Sequence, residues 1–129
     1  MSGESNPHKS LQQLVELHKL ELENKVIQSA DANNLYKRLE IQQRILQLKT
    51  IFQSSAGQCR ALSEIGKLYF QLGDIQRARR IHSELIAFLD NLKGTMIKLD
   101  FFTELKEFYE QYGDLEFSIV LKTRLAHLS

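Results

Sequence analysis

The stretch that decides the fold is KLYFQLGDIQRA, Lys67 to Ala78. In it Gly73-Asp74 comes four residues after the aromatic Tyr69 and directly before the aliphatic Ile75. EFYEQYGDLEFS, Glu107 to Ser118, repeats this phrase further along the chain, in the same register. Glycine adopts the left-handed conformation that ends a helix, and an aspartate directly after it caps the next helix. The phrase therefore predicts a helix end followed at once by a helix start, twice.

The shift that superimposes the two phrases (113 − 73 = 40) also aligns the apolar residues around them: Ile65 with Leu105, Tyr69 with Tyr109 and Leu85 with Leu125. The opposite shift places Asn33-Asn34 under Gly73-Asp74, and asparagine tolerates the left-handed conformation better than other non-glycine residues. The sequence thus predicts an all-α domain over 7–129, made of three stacked antiparallel helical hairpins with six helices. The predicted hairpins cover about 7–54, 55–94 and 95–129, after a flexible tail at 1–6.

Local signals predict where helices begin and which faces they bury. Pro7 follows Asn6 and suits the first position of a helix, and Ser55 is predicted to cap the third helix. Three- and four-residue spacing predicts a buried face on the first helix and another on the sixth. These faces are Leu11, Leu14, Val15, Leu22, Val26 and Ile27 on the first helix, and Leu115, Ile119, Leu125 and Leu128 on the sixth.

Composition limits the classes of function. The 129 residues are 43% apolar with a formal net charge of +1, which gives no bulk reason to expect binding to nucleic acid or a membrane. The single cysteine excludes an intrachain disulfide framework and is typical of a reducing compartment. The N-terminal residues lack the apolar core of a signal peptide. We therefore expect a cytoplasmic protein.

No pattern of catalytic or metal-binding residues is present in the sequence. The four histidines, His8, His18, His82 and His127, form no pair at helical ligand spacing, and His82 is expected to be packed in the core. Cys59 lies near a helix start that could lower its pKa, but a half-buried, small apolar role is the stronger interpretation. There is no phosphate-binding loop or hydrolase motif. We therefore expect that the protein is not an enzyme and that it binds no cofactor and no metal.

The stretch ALSEIGKLYFQLGDIQRARRIHSELI, residues 61–86, resembles the tetratricopeptide repeat family. The resemblance lies in Leu62, Ile65, Gly66, Tyr69, Gly73-Asp74, Ala78 and Leu85. It implies that Gly66 and Ala78 lie where two helices approach closely. The third hairpin departs from the pattern at Lys106 and Ser118, and the first hairpin departs further. The period, about 40 residues, exceeds the family's usual ~34 residues and is similar to that of spindle-orientation adaptors and kinesin light chains.

This resemblance implies a right-handed helical array with a concave groove that binds a protein or peptide. The implied groove positions are Arg60, Ser63, Lys67, Phe70 and Gln71 in the second hairpin, Asp100, Thr103, Glu107, Glu110 and Gln111 in the third, and Leu20, Glu23, Ile27, Ala30 and Asp31 in the first. Basic and acidic residues on adjacent hairpins favour a mixed-charge peptide or a partner helix. The alternative, that these positions are only solvated faces, stays open. The RARR run at 77–80 is expected to be a solvated helix face, with binding of an acidic partner or a phosphate as the alternative.

The sixth helix suggests a second function. Besides its predicted inward residues it carries Phe117, Val120 and Leu121, which make it apolar on every side. Either self-association as a homodimer through Phe117, Val120, Leu121 and Leu128, or further repeats of a longer array, would cover such a helix. Phe101 and Phe102 are adjacent and cannot face the same way, so one of them is expected to be partly exposed or to meet a neighbour. A third class, a regulatory domain that senses a small peptide, would require a closed pocket.

Overall fold

The computed structural model describes residues 7–28 and 34–128, and these residues form six α-helices and no strand. The helices are α1 (Pro7–Gln28), α2 (Leu35–Ile51), α3 (Ser55–Gln71), α4 (Ile75–Asp90), α5 (Thr95–Gln111) and α6 (Leu115–Leu128). The all-α prediction with six helices is confirmed, and Pro7 begins α1 as predicted. The tail at 1–6 and Asn33 lie outside the described residues. None of the helices in the described ranges combines the length and apolar character needed to cross a membrane.

Two compact units divide the chain, Met1–Ala61 and Leu62–Ser129. The first, called here the N-terminal unit, contains α1, α2 and the first residues of α3. The second, the C-terminal unit, contains the rest of α3 with α4, α5 and α6. Consecutive helices pack against each other within each unit, α1 with α2 in the first and α4 with α5 and α5 with α6 in the second, which is consistent with a helical repeat.

The helices begin at a regular interval that is half the period of the sequence phrase. From α2 to α6 the first positions are 35, 55, 75, 95 and 115, so that consecutive starts are equally spaced (55 − 35 = 20). The repeating structural element is therefore one helix with its connection. The sequence reveals only every second interval, because the Gly-Asp dipeptide occurs only in the connections at Gly73-Asp74 and Gly113-Asp114.

The connection after α2 has the same backbone geometry as the two glycine connections. Gln53 has a φ of 56°, while Gly73 and Gly113 have φ values of 91° and 78°. In each case the next residue donates its backbone N–H to the carbonyl five positions earlier at 2.9 Å, namely Ser54 to Lys49, Asp74 to Tyr69 and Asp114 to Tyr109. This is the hydrogen bond that closes a helix after a left-handed residue. A glutamine therefore occupies a position that favours glycine.

The residue after each left-handed position caps the following helix. Asp74 Oδ1 accepts from the backbone N–H of Arg77 at 3.2 Å, and Asp114 Oδ1 accepts from Phe117 at 3.2 Å. These two caps were predicted. The cap predicted at Ser55 was wrong, because Ser54 Oγ accepts the N–H of Gly57 at 3.2 Å. The backbone hydrogen bond that ends α2 places Ser54, rather than its neighbour, at the start of α3.

We expect Gln53→Gly to raise the free energy of unfolding by about 0.5–1 kcal/mol. Glycine removes the strain of a side chain at positive φ, which costs roughly 1–2 kcal/mol, and part of this gain is lost to the greater freedom of the unfolded chain. Urea denaturation measures the change. As the converse control, Gly73→Ala should be destabilising by a similar amount, since an added Cβ there meets nothing within 4 Å and only the backbone is strained. Unchanged or reduced stability in Gln53→Gly would contradict the argument.

The core of the N-terminal unit lies between α1, α2 and the start of α3. Leu17 from α1 packs with Ile41, Ile45 and Leu48 from α2 and Ala61 from α3. The buried face predicted for α1 was largely wrong. Five of its six residues are 47–69% exposed, Leu11, Leu14, Val15, Leu22 and Val26, whereas Leu17, Leu20 and Ile27 pack inward. Apolar residues occur on two opposite sides of this helix, and periodicity alone does not choose between them.

In the C-terminal unit α5 has neighbours on several sides. It pairs with α6 and α4, and its side chains also contact α3. Phe102, Leu105, Phe108 and Tyr109 are buried as predicted. Phe101 is also buried, so of the two outcomes expected for the adjacent phenylalanines the structure shows contact with a neighbouring element and not partial exposure. A helix with neighbours on more than one side can bury adjacent residues that point in different directions.

The face of α6 that packs inward also differs from the prediction. Leu115 and Ile119 were expected inside, but they are 63% and 59% exposed. Phe117, Ser118 and Leu121 are buried instead. The centroid of the Phe117 ring lies 4.6 Å from that of the Tyr109 ring, so the buried face of α6 contacts an aromatic residue of α5.

Candidate functional site

A buried histidine and a buried tyrosine form the polar centre of the C-terminal unit. His82 on α4 and Tyr109 on α5 are fully buried, with His82 Nδ1 2.7 Å from the Tyr109 hydroxyl oxygen. His82 Nε2 lies 2.9 Å from the backbone carbonyl of Ser63 on α3. Because a carbonyl only accepts, Nε2 carries the proton, and Nδ1 accepts from the tyrosine hydroxyl. Both ring nitrogens of a neutral imidazole are thereby satisfied.

Burial keeps both groups of this pair uncharged. Desolvation, assisted by the charge of Lys67, lowers the pKa of His82 to about 4, against the opposing effect of the Ser63 carbonyl. Burial also raises the pKa of Tyr109. Neither group changes protonation near neutral pH, and both are enclosed. The prediction that His82 is a packed core residue is confirmed.

Gly66 makes room for the histidine ring. A Cβ built on Gly66 would lie 2.2 Å from His82 Nε2, closer than any side-chain contact allows. Helix α3 can therefore approach α4 at this level only with glycine at position 66. The close approach that the sequence resemblance implied at Gly66 is confirmed.

Charges on α3 and α5 pair with each other across the C-terminal unit. Lys67 Nζ lies 2.6 Å from Glu104 Oε2 and 3.6 Å from Glu64 Oε2. Ser63, which is buried, donates its hydroxyl to the same Glu104 oxygen at 3.0 Å. Two predicted groove residues, Ser63 and Lys67, are thus engaged within the protein. Glu104, which holds both, was missed in the sequence because nothing local identifies its partners.

Three aromatic rings continue from this ion pair towards the surface, and we call them the aromatic edge: Phe70 on α3, with Phe108 and Tyr112 from α5 and its C-terminal cap. Phe70 lies 5.4 Å from Phe108 and 5.4 Å from Tyr112, and Phe108 lies 4.8 Å from Tyr112, between ring centroids. Phe108 is buried, Phe70 is half-buried and Tyr112 is 46% exposed. Tyr112 was not among the predicted groove residues, because a tyrosine at the end of an apolar stripe gives no sign that its ring is exposed.

The other predicted groove positions divide by location. Gln71 and Glu107 are exposed and Thr103 is half-buried, on the same two helices as the aromatic edge. Glu110 pairs instead with Lys122 on α6 at 3.2 Å, which places it on another side of α5. The remaining positions are as follows: Asp100 and Gln111 are exposed, Arg60 and Glu23 are exposed in the N-terminal unit, Leu20 and Ile27 join its core, and Ala30 and Asp31 lie outside the described residues.

The arginine run of α4 is largely bound within the chain. Arg79 forms a two-point contact with Asp114, at 2.9 Å from Nε and 2.6 Å from Nη2, and also reaches Glu116 at 3.0 Å. The hydrogen bonds from Arg79 lower the pKa of Asp114. Arg77 pairs with Asp74 at 3.5 Å. The predicted solvated face is therefore wrong for Arg79, which connects α4 to the start of α6.

Two of the four residues predicted for self-association are enclosed. Phe117 and Leu121 are buried, and the Arg79 guanidinium lies 5.9 Å from the centroid of the Phe117 ring. Val120 is 42% exposed and Leu128 is half-buried. A contact through α6 would therefore use its outer face, which carries Val120 of the predicted set together with Leu115 and Ile119.

Cys59 is buried in the N-terminal unit, more completely than the half-buried position expected from the sequence. Burial raises the pKa of its thiol to about 11, so a reactive thiolate near neutral pH is disfavoured. Across residues 7–28 and 34–128 there is no cluster of three or more histidine, cysteine, aspartate or glutamate side chains that could hold a metal ion.

Comparison of the chain with models of known protein families, with curated proteins and with solved structures found no match in any of the three.

Proposed function

We propose that this protein is a non-enzymatic, cytoplasmic adaptor of the tetratricopeptide type, which binds a segment of a partner protein on the aromatic edge of its C-terminal unit. The single observation that carries the proposal is the exposed ring of Tyr112 on top of a fixed aromatic stack. Tyrosine rings held by packing lose little entropy on binding, and aromatic residues dominate the energetics of protein interfaces.

The surroundings of the aromatic edge suit an extended or helical segment of mixed charge. The Lys67–Glu104 ion pair borders the stack, and Gln71 and Glu107 supply exposed polar groups on the same helices. An apolar side chain of the partner would cover Phe70 and Tyr112 while its polar groups meet this rim. Because these residues sit on packed helices, little reorganisation would be needed on binding.

A peptide selection tests the proposal. Random peptides displayed on phage are selected on the wild-type protein, and the affinity of an enriched peptide is then measured by fluorescence anisotropy. We expect Tyr112→Ala to weaken binding about tenfold or more, as for truncation of an aromatic anchor. Glu107→Lys should change the affinity in a direction set by the charge of the peptide.

The matched control is Tyr36→Ala, which removes a 73% exposed tyrosine from α2 and should leave the affinity within about twofold. The proposal is wrong if no peptide is enriched, or if the selected peptides bind Tyr112→Ala as tightly as the wild type.

The alternative function is homo-oligomerisation through α6, and one observation favours it. Leu115, Ile119 and Val120 form an exposed apolar face on this terminal helix. Sedimentation velocity over a range of concentrations should then detect a dimer that Ile119→Glu abolishes and that Thr123→Glu, an exposed change on the same helix, retains. A monomer at every concentration would contradict this alternative.

A further inference from the structure

The side of α1 that faces away from the core of the N-terminal unit carries an exposed apolar stripe. Leu11, Val15 and Leu22 are 60%, 47% and 49% exposed. The exposed His18 lies between the last two, so the four residues follow one another at helical steps and lie along one line of the helix. Leu14, beside this line, is 50% exposed. Contiguous apolar surface of this kind marks a place where another molecule binds.

Two charged side chains of opposite sign lie along one flank of this stripe. Lys19 directly follows His18 in the sequence and Glu23 directly follows Leu22, so both lie on the same side of the stripe, about one helical turn apart. Both side chains are exposed, and among residues 7–28 and 34–128 neither of them forms an ion pair. The flank therefore offers one positive and one negative group to the molecule that covers the stripe.

This charge pattern is complementary to itself when two copies of α1 pack antiparallel. In an antiparallel pair of helices related by a two-fold axis, a flank of one helix faces the same flank of the other. With the axis midway between Lys19 and Glu23, Lys19 of each copy lies opposite the partner's Glu23. In a parallel pair the same two flanks lie on opposite sides of the contact, and these charges do not meet. The charges of α1 therefore favour a second copy of this chain, in the antiparallel orientation.

We propose that the protein forms an antiparallel homodimer through the exposed stripe of α1, with Leu22 near the two-fold axis and the two Lys19–Glu23 pairs beside it. Two helices packed along this length bury on the order of 1,000 Å² in total, which is at the lower end for specific protein interfaces. The dimer is therefore weak, with a dissociation constant of about 10–100 μM. This interface is separate from the aromatic edge and from the outer face of α6, so its test is independent of theirs.

Sedimentation of the full chain at concentrations from about 1 μM to about 1 mM measures the equilibrium between monomer and dimer. We expect Leu22→Glu to weaken the dimer about tenfold or more, because it places two carboxylates at the centre of an apolar contact. Met96→Glu introduces the same charge at a 69% exposed position on α5 and should leave the dissociation constant within about twofold. Ile119→Glu, on the outer face of α6, should also leave this dimer intact.

Charge reversal tests the antiparallel pairing itself. Lys19→Glu and Glu23→Lys each create two contacts between like charges in the dimer, so each variant alone should dimerise about fivefold less tightly at low ionic strength. In an equimolar mixture of the two variants every such contact again joins opposite charges. The mixture should therefore form a heterodimer with about the affinity of the wild type.

Loss of the dimer in Leu22→Glu, together with preferred association in the mixture, supports the proposal. A wild-type protein that stays monomeric up to about 1 mM overturns it. It is also overturned if Met96→Glu weakens the dimer as much as Leu22→Glu, or if only Ile119→Glu abolishes the dimer. A mixture of the charge variants that associates no more tightly than either variant alone excludes the antiparallel pairing and likewise overturns the proposal.

Discussion

Replacement of Gly66 by alanine is expected to lower the free energy of unfolding of the C-terminal unit by about 3 kcal/mol. The added Cβ would lie 2.2 Å from Nε2 of His82 and 2.4 Å from Cδ2 of the same ring. The ring cannot move aside without losing its hydrogen bonds to Tyr109 and to the carbonyl of Ser63, because both of its nitrogens are engaged. The helices would have to separate, which exposes apolar core.

Chemical denaturation measures this loss, and Gly94→Ala is the control. A Cβ on Gly94 meets Ile97 at an ordinary contact distance of 3.5 Å, and its φ is −80°, so its effect should stay within about 1 kcal/mol. In a His82→Ala background the obstacle is gone, and Gly66→Ala should cost less than about 1 kcal/mol. An equal cost of Gly66→Ala with and without the histidine ring would contradict the steric explanation.

The stability of the C-terminal unit is expected to fall by about 3 kcal/mol as the pH decreases from 7 to 4. The pKa of His82 is about 4 in the folded protein, against an ordinary value of 6.5 for an unfolded chain. Between these values the unfolded chain binds a proton that the folded protein does not, so acidification favours unfolding. This contribution to stability is complete above pH 6.5 and is lost as the pH falls through the folded pKa.

Denaturation at a series of pH values tests this dependence. His82→Gln keeps groups that can hydrogen-bond but not the titration, so most of the slope between pH 6.5 and 4 should disappear, while His127→Gln, an exposed change, should retain it. The carboxylate of Asp114, whose pKa is lowered by hydrogen bonds from Arg79, adds a loss only at the acid end of this range. An NMR titration of the His82 ring that gave a folded pKa near 6.5 would refute the prediction.

The ends and starts of the helices follow from local chemistry, and the sequence predicted most of them. A glycine that can adopt positive φ and an aspartate that accepts a backbone N–H act within a few residues of their own position, so Gly73-Asp74 and Gly113-Asp114 could be recognised without any tertiary information. The connection at Gln53-Ser54 has the same geometry but was missed, since glutamine is not a residue that signals a left-handed turn. There the surrounding helices hold the backbone in a conformation that the residue itself disfavours.

The candidate sites depended much more on tertiary structure. The sequence correctly placed Lys67 and Phe70 on α3, but not the partner Glu104 on α5 or the exposure of Tyr112.

By itself, the sequence determined that the chain is helical, where most of its helices begin, and that Gly66 and His82 belong to a packed interior. Only the tertiary structure decided which of two apolar faces α1 and α6 bury, which charges neutralise one another, and which aromatic ring remains exposed. The physical reason is how far apart in the sequence the interacting residues lie. Turn and cap energies depend on neighbouring residues, whereas the burial of a face or the pairing of a charge depends on groups from other helices, brought together only by the packing of the whole unit.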